Sequence, residues 1–388
     1  SIVKAAHEHN AVLIPFGGGS NIAGCLEPKD RENRFIVSLD MCRMHRVLEA
    51  AKFIMGPEVQ ELEGVLADYV GVRHCITTGS GTVSLEIALR ALGIGPGDEV
   101  ITVPFTWIST AEVIAQVGAK PVFVDIDATT YNMDASLLEA AITQHTKAIL
   151  PVSLFGQMPD FAAIDAIAAK HGLPVIEDAA QSFGATQQGR RSCAASLIGS
   201  TSFFPAKPFG CFGDGGALFT NDDALAEKIS MVRNHGCKVR HDHPMIGLNG
   251  RFDTLQAAIL LAKFPYFEEE VAARHRLGQR YHQLLDEVCA TPATLEGNPH
   301  VYAQYTIRVR ERDALQAWAQ EEEVPMAIYY PKCVHEQPIY RPYVSPGQTF
   351  PVSEKASKEV ISLPMHPFLT EEEQTKVASV VRAFVERD

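Results

Sequence analysis

Lys207 stands in the run Thr201-Ser202-Phe203-Phe204-Pro205-Ala206-Lys207-Pro208-Phe209-Gly210, just ahead of the glycine-rich Gly213-Asp214-Gly215-Gly216. A lysine set among apolar residues and glycines is a candidate carbonyl-condensing amine, because loss of water lowers its pKa and frees its lone pair. The ordinary alternative is a solvated surface lysine. What decides between them is the company the residue keeps.

Three other stretches bear on it. Gly79-Ser80-Gly81-Thr82 lies between a strand-like and a helix-like segment, where free amides and a hydroxyl at a helix N-terminus suit a phosphate monoester. The alternative there is a turn that uses glycine for its conformation alone. Phe105-Thr106-Trp107 closes another strand; Trp107 can stack on a planar ring or serve a core or an interface. Glu177-Asp178-Ala179-Ala180-Gln181 follows a buried strand, and an acid at that point is costly unless paired. Asp178 can pair with a protonated ring nitrogen or cap a helix. Ser202, close before Lys207, adds a hydroxyl for a phosphate. Phosphate cup, ring stack, acid for a pyridinium and Schiff-base lysine together specify pyridoxal 5'-phosphate (PLP).

These residues need a scaffold that brings strand ends together. From about residue 56 apolar runs alternate with helical patterns. Strands are expected at 74–78, 99–103, 120–124, 148–153, 174–177, 200–204 and 216–220. Helices are expected from Gly56-Pro57-Glu58 through Tyr69, and over 83–92, 109–117, 134–141 and 161–171. Such alternation predicts a mostly parallel sheet covered on both faces. Further helices are expected over 255–264, ended or kinked at Pro265, and over 267–285. Strands near 302–310 and helices over 313–322 and 371–386 read as a smaller α+β domain. The division expected is a large domain over 49–265 and a small one over 266–388, with 1–48 set apart.

Bulk properties narrow the class. Hydrophobic residues make up 46% of the 388 and charged residues 21%, an ordinary globular balance. No apolar run approaches the roughly 18 residues of a membrane span. A net charge of -13 argues against nucleic acid or an anionic membrane as partner. The eight cysteines include no C-x-x-C pair, which suits reduced thiols in the cytoplasm and argues against a zinc site. No metal is expected. The start, Ser1-Ile2-Val3-Lys4, lacks an initiator Met and a signal-peptide pattern, and reads as a processed or fragment end.

Residues 1–48 follow another grammar. Ala11-Val12-Leu13-Ile14-Pro15-Phe16-Gly17-Gly18-Gly19-Ser20-Asn21 is a strand entering a triple-glycine turn, able to offer amides to a pyrophosphate or to serve as a turn only. The stretch resembles part of the FAD-binding domain of FAD-linked oxidases of the alkyl-dihydroxyacetone-phosphate synthase branch. Too little of that domain is present to bury a flavin, so no working FAD site is expected. A flavin-dependent oxidoreductase or synthase is nevertheless the competing reading, and a catalytically silent relative of the PLP enzymes is a third.

From about residue 46 to 388 the chain resembles the DegT/DnrJ/EryC1/StrS family of PLP-dependent sugar aminotransferases. The matching stretches are Arg46-Val47-Leu48, Phe53-Ile54-Met55-Gly56-Pro57-Glu58, Gly81-Thr82, Gly95-Pro96-Gly97-Asp98-Glu99-Val100 and Glu177-Asp178-Ala179-Ala180-Gln181. They continue through Ser202–Lys207, Gly213–Gly216, Asn234-His235-Gly236, Asn249-Gly250-Arg251-Phe252-Asp253 and Leu363-Pro364-Met365-His366-Pro367. The resemblance implies an α/β fold of the aspartate aminotransferase type (fold type I). It makes Lys207 the Schiff-base lysine and Asp178 the partner of the pyridine nitrogen, sets Gln181 near the ring hydroxyl, and stacks Trp107 on the ring. Gly81, Thr82 and Ser202 would hold the phosphate, and Asn249 would reach it from a neighbouring subunit, implying a homodimer with shared active sites.

The reaction so implied passes an amino group from glutamate, which leaves as 2-oxoglutarate, through pyridoxamine phosphate to a keto sugar linked to a nucleotide. Some relatives carry a histidine in place of the lysine and dehydrate instead; Lys207 argues against that route. Residues 151–157, 202–207 and 302–306 resemble the branch acting on UDP-2-acetamido-2-deoxy-3-oxo-glucuronate, for bacterial surface polysaccharide. Arg251 suits the sugar carboxylate or, alternatively, an acid of the protein itself. Tyr302, Tyr305, His335 and His366 are candidates to line the pocket, with ordinary packing as the alternative for each.

Overall fold

The computed structural model describes residues 47–387, so the flavin-like stretch and its triple-glycine turn lie outside the described residues. Helix α1 (Pro57–Val70) starts with Pro57 in its first turn and ends at Gly71, whose φ of 83° closes the helix. Its inner stripe is Val59, Leu62, Leu66 and Val70. There follow β1 (His74–Thr78), α2 (Gly81–Ala91), β2 (Glu99–Thr102), α3 (Ser109–Gln116), β3 (Lys120–Phe123), α4 (Ala135–Ala141) and β4 (Thr146–Ile149). Next come α5 (Phe161–His171), β5 (Ile176–Asp178), the short hairpin β6 (Thr186–Gln187) and β7 (Arg190–Arg191), β8 (Ile198–Ser202) and β9 (Gly216–Thr220).

Strands β1, β9, β8 and β5 form one ladder and β3, β2 and β4 another. Parallel bridges from Ile149 to Val175 and from Val152 to Asp178 join them. The order across the sheet is therefore β1-β9-β8-β5-β4-β2-β3. Only β9 runs against its neighbours. This is the mostly parallel sheet that the strand–helix alternation implies. Its C-terminal edge gathers the ends of β1, β2, β5 and β8, and ligands bind at such edges.

Both faces are covered. On one, Ile76, Val100, Ile176, Ile198 and Leu218 meet α2, α3 and Asp223–Arg233 (α6) through Ile87, Val113 and Ile229. On the other, Cys75, Ala217 and Phe219 meet α1 and Thr254–Lys263 (α7). Pro265 lies in a 3-10 turn, Phe264–Tyr266, that kinks the chain into α8 (Phe267–Leu285).

The remaining elements are β10 (Tyr305–Arg308), α9 (Arg312–Glu321), α10 (Pro351–Glu359), β11 (Val360–Leu363) and α11 (Glu371–Val385). β10 and β11 pair antiparallel, and Tyr281, Ile307, Leu315, Ile361 and Val381 share a core with α8, α9 and α11. Tyr330, Cys333, Ala356 and Val360, by contrast, pack with Val103, Phe105 and Phe155 beside the large sheet. The C-terminal third thus grips the catalytic edge as well as its own core.

Three expectations differ from what is observed. The strand placed at 148–153 pairs over Thr146–Ile149, with a further bridge at Val152. The strand near 302–310 is confined to Tyr305–Arg308, because Tyr302 takes a left-handed φ of 46°. The elements β6, β7, α6, α10 and β11 have no counterpart among those expected. In α10 the buried residues are Ser353, Ala356 and Ser357, so no apolar stripe announces it.

Candidate active site

Each chemical group sits where a strand runs out. Beyond β1, Ser80 caps α2: its Oγ accepts from the Val83 amide at 3.2 Å. Gly81 and Thr82 are the first residues of that helix, and their amides have no intrahelical acceptor. The helix start is pressed against the end of β8, since a Cβ on Gly81 would lie 2.6 Å from Ser202 Cβ. Only glycine permits that approach, and it brings the amides of α2 and the Ser202 hydroxyl into one cup. The Thr82 hydroxyl is 2.8 Å from Ser109 Oγ, tying the cup to α3.

Asp178 ends β5 and is 6% exposed. Its carboxylate accepts from Thr110 Oγ1 at 2.8 Å and from the Ala180 amide at 3.2 Å. No helix follows directly, so Asp178 is not a helix cap; it closes a turn. Burial raises its proton affinity, while Thr110, Ala180 and the positive charge of Lys207 oppose that rise. Lys207 is half-buried in a loop held by Phe203 and Phe209, whose rings meet edge to face at 5.9 Å. Burial lowers its pKa below the usual lysine range, and Asp178 counters part of this. Such a lysine loses its proton more readily than a surface one, as an amine nucleophile requires.

Trp107 is 57% exposed at the end of the loop after β2, so it is not a core residue. Its ring lies 5.9 Å from that of Tyr330. Gln181 is buried: its Oε1 accepts from the Phe155 amide at 2.7 Å and its Nε2 donates to Tyr330 Oη at 2.9 Å. Tyr330, Thr110 and Phe155 belong to the site and were not singled out in the sequence. Thr106 and Thr110, one helical turn apart with hydroxyls 3.1 Å from each other, were the legible signal for the second. Tyr330 arrives from a distant segment, and nothing local marks it.

Asn249 is exposed and its side chain has no hydrogen-bond partner among the described residues. Its neighbour Gly250 accepts from the Gly79 amide at 3.0 Å, which sets the 249–251 segment alongside the cup. Arg251 is half-buried, its Nε is out of solvent without a partner, and it forms no ion pair among the described residues. The alternative of a protein acid for this guanidinium is therefore not met there.

Three of the four candidate lining residues are engaged in local contacts of their own. Tyr302 stacks on His300 at 4.3 Å and its hydroxyl reaches Thr294 and His282, so it fills the core over Gly278. Tyr305 is buried between Tyr281 and Tyr302. His335 lies against Phe350 and contacts Glu354 at 3.3 Å. Short local contacts hold each of these three rings. His366 lines a separate cavity with Gln304 and Tyr329, and burial together with Arg274 lowers its pKa.

Comparison with known proteins agrees with this geometry. The model of the DegT/DnrJ/EryC1/StrS aminotransferase family matches residues 36–382. The chain belongs to that family. As a DegT/DnrJ/EryC1/StrS aminotransferase it is a PLP-dependent enzyme of fold type I. It is 52% identical to the UDP-2-acetamido-2-deoxy-3-oxo-D-glucuronate aminotransferase of Pseudomonas aeruginosa, covering 89% of this chain and 95% of that protein. It is 43% identical to the UDP-N-acetyl-3-dehydro-alpha-D-glucosamine 3-aminotransferase of Acidithiobacillus ferrooxidans, over 87% and 91% of the two chains. Among solved structures, NtdA of Bacillus subtilis with its bound cofactor PMP superposes with a TM-score of 0.84 at 34% identity, over 89% of this chain and 81% of that one. The family match begins at residue 36 and so takes in the end of the stretch that resembles a flavin domain.

The residues present fit the cofactor. A cup that a single Cβ would fill, a buried acid at a strand end, a desolvated lysine and an exposed indole supply one partner for each part of PLP. Among the described residues no group of His, Cys, Asp and Glu could hold a metal ion, and no helix is long and apolar enough to cross a membrane.

Proposed function

We propose that the enzyme moves the amino group of glutamate to the 3-oxo group of UDP-2-acetamido-2-deoxy-3-oxo-glucuronate, in the making of bacterial surface polysaccharide. The observation that carries this choice of sugar is Arg251. A half-buried guanidinium without an acid partner among the described residues, on a residue whose backbone packs against Gly79, matches the one feature that sets a uronate apart from other keto sugars, its carboxylate. The relative at 52% identity acts, by its name, on that sugar.

In this reading the start of α2 and Ser202 bind the phosphate, with the helix dipole aiding the anion. Trp107 covers one face of the ring. Asp178 stays ionised against the ring nitrogen, held there by Thr110 and Ala180. Bound PLP supplies the carbonyl carbon and an electron sink. Lys207, once free as an amine, carries a proton between cofactor and substrate carbons, and its lowered pKa suits both halves of that transfer. Gln181 donates toward the ring hydroxyl.

A homodimer in which Asn249 of each subunit completes the other's cup belongs to this reading, and the exposed Asn249 side chain is open to a second subunit. The division into a large domain over 49–265 and a small one over 266–388 belongs to the same reading. So does a cytoplasmic location, which the free thiols of Cys75, Cys193, Cys211, Cys237, Cys289 and Cys333 favour.

Transamination run in reverse, with 2-oxoglutarate as acceptor and a panel of UDP- and dTDP-amino sugars, tests it. The 3-amino uronate should give the highest kcat/KM. Preference for an uncharged sugar would overturn the uronate, and failure with every amino sugar would overturn the substrate class.

A further inference from the structure

Glu177 precedes Asp178 on β5 and therefore faces the other side of the sheet, where it is wholly buried. Three donors converge on it. Ser153 Oγ and Ser192 Oγ each donate to Oε1 at 2.7 Å, and the Cys193 amide donates to Oε2 at 2.7 Å. Burial raises its pKa, and the three hydrogen bonds oppose that rise.

The two serines lead to the same place. Ser153 opens the 3-10 turn Leu154–Gly156, in which Phe155 is held at a φ of 58°, a strained position for a bulky residue. The amide of that residue donates to Gln181 Oε1 at 2.7 Å. On the other arm, Ser192 Oγ lies 2.7 Å from Ser182 Oγ, and Ser182 is the residue next to Gln181. One buried carboxyl group thus grips both the acceptor side of Gln181 and its backbone. What remains at Gln181 is its amide nitrogen, with one hydrogen on Tyr330 and a second hydrogen to give.

We propose that Glu177 is a positioning residue: through Ser153 with Phe155, and through Ser192 with Ser182, it orients the Gln181 amide so that its second N–H points at the ring hydroxyl of the cofactor. The proposal rests on the reading of Gln181 given above. Glu177 touches neither cofactor nor substrate. The titratable groups around the network are Asp178, Lys207 and Tyr330 on the site side and Cys193 behind it, and the test leaves all four in place.

A donor to the ring oxygen favours its anionic form, so its loss moves the pH midpoint of the holoenzyme's visible absorption band upward. The experiment titrates that band in wild type, Gln181→Leu, Glu177→Gln and the double variant. Gln181→Leu should raise the midpoint by about one pH unit, the size of one lost hydrogen bond. Glu177→Gln should raise it by a similar amount, and the double variant should go no further, because both changes remove the same interaction. Shifts that add in the double variant, or a Glu177→Gln enzyme that only melts earlier with an unmoved midpoint, would overturn the tether. An unmoved midpoint in Gln181→Leu would overturn the assignment of Gln181 and the tether with it. Should Glu177→Gln fail to fold, Ser153→Ala and Ser192→Ala each cut one arm, and the same comparison in the Gln181→Leu background decides.

Discussion

Replacing Gly81 by alanine tests the cup directly. The new Cβ would stand 2.6 Å from Ser202 Cβ, 3.1 Å from its Oγ and 3.2 Å from its Cα. Ordinary contact begins near 3.4 Å, so α2 and the end of β8 must part by about 0.8 Å, the difference between 3.4 and 2.6. Neither side yields easily: β8 is paired with both β5 and β9, and α2 is buried along Leu85, Ala88 and Leu89. Overpacking of this kind costs about 1–3 kcal/mol. Displacing the amides at the helix start also weakens a charge-assisted hydrogen bond to phosphate worth about 1.5–3 kcal/mol. The affinity for PLP should therefore fall by about 10- to 150-fold. Equilibrium dialysis of the apoenzyme against PLP measures it, and a melting curve measures the packing cost. Gly64→Ala is the control: it lies on the open side of α1 with nothing within 4 Å of the added methyl, and should raise stability by about 0.5–1 kcal/mol. Wild-type affinity and melting temperature in Gly81→Ala would refute the close approach of helix and strand on which the cup depends.

Other outcomes follow from other contacts. Asp178→Asn keeps an acceptor for Thr110 but removes the charge, so kcat should drop by about a thousandfold while the apoenzyme melts no lower than wild type; a drop below tenfold in steady-state assays would contradict the role given to that acid. His300 is buried, its pKa depressed to about 3 by burial and then by His282 and His275, and its Nδ1 accepts from the Tyr302 amide at 2.9 Å. A depressed histidine holds its full share of stability above the unfolded pKa of 6.5 and loses it as pH falls toward about 3. Between pH 7 and 5 the wild type should lose about 2 kcal/mol more than His300→Asn in urea unfolding; parallel slopes would refute it. Arg251→Met should raise KM for the UDP-linked uronate by about 10- to 100-fold and leave that for an uncharged 3-oxo sugar within about threefold, and equal effects on both would remove the carboxylate contact.

That the chain takes PLP was legible in the sequence because each candidate group is a local signal at a strand end. Ser80-Gly81-Thr82, Asp178 and Lys207 are marked by the change from an apolar run to glycine or acid, and the sheet needs only to bring those ends to one edge. The substrate side was not legible. Tyr302, Tyr305 and His335 carry the right chemistry, yet their rings are held by His300, Tyr281 and Phe350. Residue type alone cannot tell a lining tyrosine from a core one. Tyr330 escaped for the opposite reason: its importance lies in contacts to Trp107 and Gln181, more than a hundred residues away. Helix α6 does carry a local signal, Leu225, Ile229 and Val232 at helical spacing. For α10 no such spacing exists, because its inward face is serine and alanine.

The order of strands bears on how such a chain comes to be folded. Among the described residues β1 pairs only with β9, whose last residue is Thr220, and β9 is the one strand laid in reverse between β1 and β8. A ribosome releases β1 and the helix it feeds long before their partner exists. Until β9 arrives, the Ile76 and Cys75 faces of β1 have no sheet to join, and β8, on which the start of α2 leans, emerges only shortly before it. Pairings so far apart in sequence close slowly, since the intervening loop must first be gathered in. The cup for the phosphate is thus completed late in folding, and a chain that holds the cofactor has already closed the longest pairing of its sheet.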